Sequence, residues 1–262
     1  MKRPFRSLLC LGATVLGLTV LSAPAYAAGA NYVSLGDSYS AGVGTGGPYS
    51  GGNCSRSSTA YPQLWANSHS PASFGFAACS GARTGDVLSG QVGSLQSNTT
   101  LVTISIGGND AGFTDVITTC TLNDDTTCVN RVNTAKAFVN NELPAKLDSV
   151  YAAIKQHSPS ARVIVLGYPR FYQVPGSCIV GLSNTKRTAI NSGADALATV
   201  TSARARSAGF TFVDIRTIWS GHEICSGSVW LNSLTWPVGE SYHPNRDGQA
   251  KGYLVALNGV TG

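Results

Sequence analysis

The sequence predicts an α/β protein: a three-layer α/β/α sandwich around a central parallel sheet of about five strands. Three observations carry this. Short, β-branched, nearly continuous apolar runs alternate with longer segments of helical period. The runs lack the in–out alternation of a sheet wetted on one face, so both faces must be covered. Neither an internal repeat nor a linker divides the 262 residues, which suits one domain once the N-terminus is set aside.

That N-terminus, residues 1–27, reads as a secretory signal peptide. Lys2, Arg3 and Arg6 precede an apolar stretch over 8–21, and Ala25-Tyr26-Ala27 supplies a small-x-small cleavage site. The stretch falls short of the roughly 20 residues a bilayer span needs. An uncleaved membrane anchor is the alternative, and the flanks fit cleavage better. Residues 28–262 are then expected to form a single domain. Losing three basic residues lowers the formal charge from +5 to +2, which gives no reason to expect nucleic-acid binding.

In order along the chain, strands are expected over 32–35, 101–106, 162–166 and 210–213, with a weaker one over 74–77. Helices are expected over 60–67, 86–95, 130–156, 183–208 and 245–257. In the third of these, Val132, Ala135, Val139, Leu143, Leu147, Val150 and Ile154 recur at three and four residues, one buried stripe. Pro144 is the place for a kink. Loops rich in Gly, Ser, Pro and Asn are expected over 42–58, 118–128, 168–182 and 218–237.

Six cysteines remain after position 27: Cys54, Cys79, Cys120, Cys128, Cys178 and Cys225. An even count in an exported chain argues for disulfides, and the residues alone leave the pairing open. A zinc site fits poorly, since there is no CxxC and the spacings are not those of zinc ligands.

In open parallel sheets the site lies beyond the carboxyl ends of the strands. Ser38 follows the first strand in Gly36-Asp37-Ser38-Tyr39. Asn109 follows the 101–106 strand in Gly107-Gly108-Asn109-Asp110, and Gly81 follows the weak strand in Cys79-Ser80-Gly81-Ala82. A late histidine, His243, sits in Glu240-Ser241-Tyr242-His243-Pro244. A serine hydroxyl is a weak nucleophile until a base takes its proton, and acyl transfer needs donors aimed at the developing oxyanion. Nucleophile, donors and base all appear here, three of them at one edge of one sheet. Taken singly, each has a plainer role: Ser38 as a helix cap, and the glycines and Asn109 as turn formers.

Together, in this order, the four blocks resemble the SGNH hydrolases, the GDSL esterase/lipase family. The chain looks most like its secreted streptomycete-type lipases and phospholipases, through Gly-Asp-Ser-Tyr-Ser-Ala-Gly from Gly36, Ala-Cys-Ser-Gly-Ala from Ala78, Ser-Ile-Gly-Gly-Asn-Asp from Ser105, Gly-His-Glu-Ile-Cys from Gly221 and Ser-Tyr-His-Pro-Asn from Ser241. The resemblance implies a flavodoxin-like sheet. It implies Ser38 as nucleophile, His243 as base, and the Ser38 N–H, Gly81 N–H and Asn109 side chain as oxyanion donors. It implies the pairs Cys54–Cys79, Cys120–Cys128 and Cys178–Cys225. The family pattern has Asp three residues before the histidine, whereas this chain has Glu240. Either the Glu240 carboxylate or the Ser241 backbone carbonyl could therefore orient His243. Asp37 and Asp110 read as structural hydrogen-bond residues. His69 and His157 read as surface residues, and His222 as a residue that stabilises its own loop.

Three other motifs lead nowhere. Gly42-Val43-Gly44-Thr45-Gly46-Gly47 matches G-x-G-x-x-G but does not sit tightly between strand and helix, and flexibility beside Ser38 explains its glycines better. His222-Glu223 is not HExxH. The Ser38 block lacks the second glycine of G-x-S-x-G.

The expected activity is two-step hydrolysis of fatty-acyl esters, with phospholipid acyl esters among the substrates, by an exported monomer. No metal or organic cofactor is implied. Partners would be the ester substrate and a transient lipid interface. An acetyl-polysaccharide esterase would use the same residues with a different pocket, and a non-catalytic secreted binding module would not need them intact. A long acyl chain needs an apolar groove, for which Tyr39, Phe113, Ile117, Phe171, Tyr172, Trp219 and Trp230 are available, although ordinary packing is the simpler role for most of them.

Overall fold

A computed structural model describes Met1, residues 29–178 and residues 181–262. The proposed signal peptide lies outside these residues except for its first methionine. The strands are β1 (Asn31–Gly36), β2 (Tyr49–Ser50), β3 (Arg56–Ser57), β4 (Ser73–Phe76), β5 (Leu101–Ser105), β6 (Arg162–Leu166) and β7 (Thr211–Val213). The helices are α1 (Ser38–Ala41), α2 (Tyr61–His69), α3 (Thr84–Ser89), α4 (Phe113–Leu122), α5 (Asp125–Asn141), α6 (Leu143–His157), α7 (Asn184–Ser207), α8 (Ile215–Trp219) and α9 (Leu254–Thr261).

Five strands form one parallel sheet in the order β4-β1-β5-β6-β7, while β2 and β3 make a separate short antiparallel ladder. Every residue of β5 is buried, and β1 and β6 are buried after their first residue. That burial is why these strands read as unbroken apolar runs. The edge strands β4 and β7 are only partly covered.

Register fixes what lies at the carboxyl edge. Gly36 pairs with Ser105, so β1 and β5 end together. Asp37 N–H then donates to the Ser105 carbonyl at 3.0 Å. On the other side Ser34 pairs with Phe76, and Cys79 N–H donates to the Gly36 carbonyl at 3.0 Å. Three turns therefore leave the sheet side by side.

Three helical expectations and one loop expectation need correction. The single helix over 130–156 is two, α5 and α6, broken at Glu142 (φ −112°, ψ −39°). Pro144 stands in the first turn of α6, where its missing N–H costs nothing; inside a continuous helix it would break a bond and clash with the preceding turn. The apolar stripe survives the break, since Val132, Ala135, Val139, Leu143, Leu147, Val150 and Ile154 are all buried. The loop expected over 118–128 is the end of α4 and the start of α5. The threonines crowding this stretch lower its helical signal, but Asp124 caps α5 by accepting from Thr127 N–H at 2.7 Å.

The helix expected over 86–95 starts earlier and ends at Gly90, beyond which Gln91–Ser94 is a 3-10 turn. The last helix begins as a π-helical turn, Gly248–Tyr253, before α9. A Cβ on Gly248 or Gly252 would stand 2.8 Å or 2.5 Å from the Trp219 indole, so this widened turn presents two bare positions to that ring.

Disulfides join Cys54 to Cys79, Cys120 to Cys128 and Cys178 to Cys225. The first ties the loop after β2 to the turn carrying Gly81, and the second closes the α4–α5 corner.

Candidate active site

Gly36 has φ +123°, and a Cβ there would lie 2.5 Å from the Ser105 carbonyl oxygen, so only glycine lets β1 turn into α1. Asp37 caps α1 by accepting from Tyr39 N–H at 3.0 Å. Ser38 is thus the first helical residue, 6% exposed, with its N–H at the free positive end of a one-turn helix.

The Ser38 hydroxyl lies 2.7 Å from His243 Nε2, and His243 Nδ1 lies 2.9 Å from the Ser241 carbonyl oxygen. A carbonyl can only accept, so Nδ1 carries the proton and Nε2 presents its lone pair to Ser38. His243 is half-buried, with Tyr39 and Phe113 at ring distances of 5.4 Å and 6.3 Å. Loss of solvation among these rings lowers its pKa from 6.5 to about 4, against a smaller opposing effect of the Ser241 carbonyl.

The Glu240 carboxylate makes no hydrogen bond to the imidazole. It accepts from Tyr49 Oη at 2.9 Å and from Gly46 N–H at 3.1 Å, on the far side of the turn. The 3-10 turn Val238–Glu240 and the left-handed Tyr242 (φ +60°) lead the chain so that the Ser241 carbonyl, not the side chain at 240, meets Nδ1. Asn232 holds this limb: its N–H donates to the His243 carbonyl at 2.9 Å and its carbonyl accepts from Tyr242 N–H at 3.0 Å.

Two glycines of residues 42–47 also have tasks more specific than flexibility. Gly44 (φ +99°) passes so close behind His243 that a Cβ would sit 2.7 Å from the His243 Cβ. Gly42 (φ +83°) ends α1 against Ala60.

Asn109 Nδ2 donates to the Ala82 carbonyl at 3.0 Å, which uses one of its two N–H bonds. Among the described residues neither the Gly81 nor the Ser38 N–H has a hydrogen-bond partner. Asp110 accepts from Thr84 N–H at 3.0 Å and from Thr84 Oγ1 at 2.5 Å, joining the Asn109 block to the segment after Gly81. Ser38, His243, Asn109 and Gly81 therefore converge on one edge of the sheet, with donors left over.

An apolar cleft runs from Ser38 and Asn109 between α4, α5 and α7. Tyr39, Phe113, Ile117 and Phe171 line it, and Phe113 stacks on Phe171 at 5.4 Å. Tyr172, Trp219 and Trp230 do not line it. Trp219 is fully buried against Gly248 and Gly252, Trp230 stacks on His222 at 3.5 Å, and the Tyr172 backbone pairs with the Asn191 side chain. Further walls come from Val132, Ala135 and Val139 on α5 and Ile190, Gly193, Ala194 and Leu197 on α7, and Lys136 also lines the cleft. The sequence marks these only as a buried helical face, because lining a cleft and packing a core leave the same periodic signal. Tyr168, which also lines the cleft, carries no motif at all. Among the described residues no group of three or more His, Cys, Asp or Glu is placed to hold a metal ion.

A family model described as "GDSL-like Lipase/Acylhydrolase family" matches residues 34–251. Lipase 1 of Streptomyces coelicolor is 57% identical over 254 residues, covering 96% of this chain and 94% of its own. The crystal structure of an extracellular lipase from Streptomyces rimosus superposes with a TM-score of 0.86 at 54% identity, over 88% of this chain and all (100%) of that one. A phospholipase A1 structure from Streptomyces albidoflavus gives 0.86 at 55% identity, over 88% and 99%. With its four sequence blocks gathered at one sheet edge, the chain belongs to the GDSL-like lipase/acylhydrolase family.

Proposed function

We propose that this chain is an exported serine carboxylic-ester hydrolase that cleaves fatty-acyl esters, phospholipid acyl esters among them. The 2.7 Å contact between Ser38 Oγ and His243 Nε2, at the mouth of an apolar cleft, carries the reading. As Oγ bonds to the ester carbonyl carbon, its proton passes to Nε2. The carbonyl oxygen, now negative, lies toward the N–H groups of Ser38 and Gly81 and the second N–H of Asn109. Nε2–H protonates the departing alcohol as the C–O bond breaks, leaving the acyl group on Ser38. Water then gives a proton to Nε2 and attacks the acyl carbon. Oγ leaves, takes that proton back, and the acid is free.

The Ser241 carbonyl supports each step in which the ring carries two protons, since it points a dipole at Nδ1–H. The apolar walls favour fatty-acyl over acetyl groups, because burying each CH₂ of a chain is worth about 0.8 kcal/mol. The phospholipase A1 relative at 55% identity supports phospholipids as a substrate class. Residues 1–27 would be removed on export, and residues 28–262 would act as a monomer.

Hydrolysis of p-nitrophenyl esters from acetyl to palmitoyl, with Ser38→Ala alongside, tests the reading. Activity that peaks beyond acetyl and vanishes in the variant supports it. Preference for acetyl over octanoyl would favour the polysaccharide deacetylase instead. Inactivity on every ester by a folded protein would overturn it.

A further inference from the structure

The chain from Trp230 to Asn245 folds back on itself as a hairpin. Asn245 N–H donates to the Trp230 carbonyl at 2.9 Å, Asn232 N–H to the His243 carbonyl at 2.9 Å, and Leu231 bridges Pro244. Nearer the tip, Thr235 N–H donates to Ser241 Oγ at 2.9 Å. His243 stands on the returning limb, so the tip and the candidate base belong to one braced unit.

Every residue of the tip, 233–239, is exposed. Leu234, Trp236 and Val238 alternate along it at 63%, 86% and 58% exposure. The other tryptophans, Trp65, Trp219 and Trp230, are buried. From 224 to 239 there is no charged residue. The two nearest charges point elsewhere: the Glu240 carboxylate is held by Tyr49 and Gly46, and the Arg246 guanidinium by the Thr45 and Gly47 carbonyls.

We propose that this hairpin tip is a docking surface for a lipid–water interface, seating Leu234, Trp236 and Val238 at the headgroup boundary and so presenting the His243–Ser38 edge to aggregated ester. The inference rests on the fatty-acyl reading of the site. Three apolar side chains at a narrow projection suit a soft, insertable surface better than a flat protein face. Tryptophan is the side chain that settles at such boundaries, with its ring in the apolar layer and its N–H in the wet one. The tip takes no formal charge out of bulk water, leaving only its backbone and the Ser233 and Thr235 hydroxyls to keep wet, and its binding needs no anionic lipid.

Trp236 supplies its own probe, as the one exposed indole in the protein. The mature, oxidised protein carrying Ser38→Ala, which leaves lipid intact, is mixed with dioleoylphosphatidylcholine vesicles. Expected are a blue shift of tryptophan emission and quenching by lipid brominated on its acyl chains. Both should persist in high salt and be lost in Ser38→Ala/Trp236→Ala. In the active background, Leu234→Ser/Trp236→Ser/Val238→Ser should hydrolyse dissolved p-nitrophenyl butyrate within about twofold of the parent. On vesicles it should lose roughly tenfold or more, as removal of three apolar anchors requires. Absence of shift and quenching, or full vesicle activity in the triple variant, would overturn the proposal. So would binding confined to vesicles rich in anionic lipid, or a tip that instead captures a protein. If the parent cleaves no ester at all, the functional reading fails, and the fluorescence arm still decides whether the tip binds lipid.

Discussion

Tyr168 donates its hydroxyl to the buried carboxylate of Asp37, the residue that caps the Ser38 helix. The same hydroxyl accepts from Gly108 N–H at 3.3 Å. One oxygen thus ties the nucleophile turn to the turn that carries Asn109. Tyr168 makes no hydrogen bond to Ser38 or Asn109 themselves, so its role is to hold the Ser38 and Asn109 turns at a fixed spacing. Tyr168→Phe keeps the ring packed edge-on against Tyr39 and removes only that tie. With Asp37 charged, above its pKa of about 7, a hydrogen bond to it is worth about 1.5–3 kcal/mol, so kcat measured there should fall roughly tenfold or more with KM little changed. A variant with raised KM and unaltered kcat would place Tyr168 with the substrate instead.

Burial raises the Asp37 pKa from 3.8 to about 7, against the Tyr168 and Tyr39 hydrogen bonds that favour its charged form. The folded state therefore holds this proton more tightly than the unfolded chain does. Stability is fully present below 3.8 and is lost as pH rises through about 7. Asp37→Asn keeps an oxygen to cap Tyr39 N–H and does not titrate. Its melting temperature should decline less than the parent's between weakly acidic and weakly alkaline pH. Parallel pH profiles for parent and variant would show that Asp37 is not the group titrating there.

His243 titrates in the opposite sense. Its folded pKa, about 4, lies below the ordinary 6.5, so the unfolded chain binds the extra proton between these values. Its contribution to stability is complete above 6.5 and is lost as pH falls toward 4. Activity follows the Nε2 lone pair. The kcat/KM for a soluble ester should be flat through neutrality and drop on an acid limb well below pH 6.5. An acid limb at or above that value would mean the ring is solvated in solution.

Glu240 separates two ways of orienting that ring. A triad carboxylate changed to its amide typically costs about 10⁴-fold in kcat. Here the Glu240 carboxylate serves Tyr49 and Gly46, and Glu240→Gln loses one acceptor to Gly46 N–H and no contact to His243. The expected loss is within about fivefold, as for one exposed hydrogen bond of 1 kcal/mol or less. A loss of a thousandfold or more would restore Glu240 as the orienter.

This contrast marks how far the sequence could be read. The five parallel strands were legible because β1, β5 and β6 are buried on both faces and so are apolar throughout. That Ser38, Asn109 and Gly81 share one edge was legible because they follow strands, and parallel strands bring their ends together. Which of the Glu240 carboxylate and the Ser241 carbonyl lies against His243 was not, because it turns on one left-handed residue, Tyr242. Nor was α4, whose threonines dilute its helical signal, nor the place of Trp219, which depends on two glycines more than 25 residues further on. Tyr168 escaped notice because its partners, Asp37 and Gly108, are 131 and 60 residues away in sequence.

The cleft itself offers the last test. Gly193 stands on α7 facing α5, and a Cβ there would lie 3.6 Å from Val132 Cγ1, an ordinary contact. Its φ is not in the left-handed region, so a side chain strains no backbone. Glycine inside a helix costs about 1 kcal/mol relative to alanine, so Gly193→Ala should raise the melting temperature without closing the cleft. Gly193→Leu adds three more carbons with room for them only in the cleft or between the helices. If the cleft holds the acyl chain, kcat/KM for palmitoyl esters should fall tenfold or more, roughly the burial of two or three CH₂ groups, while butyryl esters are hydrolysed within about threefold of the parent rate. An equal loss on both chain lengths would mean the leucine disturbs α5 against α7 and with them the whole site. An unchanged profile would mean that the acyl chain leaves Ser38 by another route.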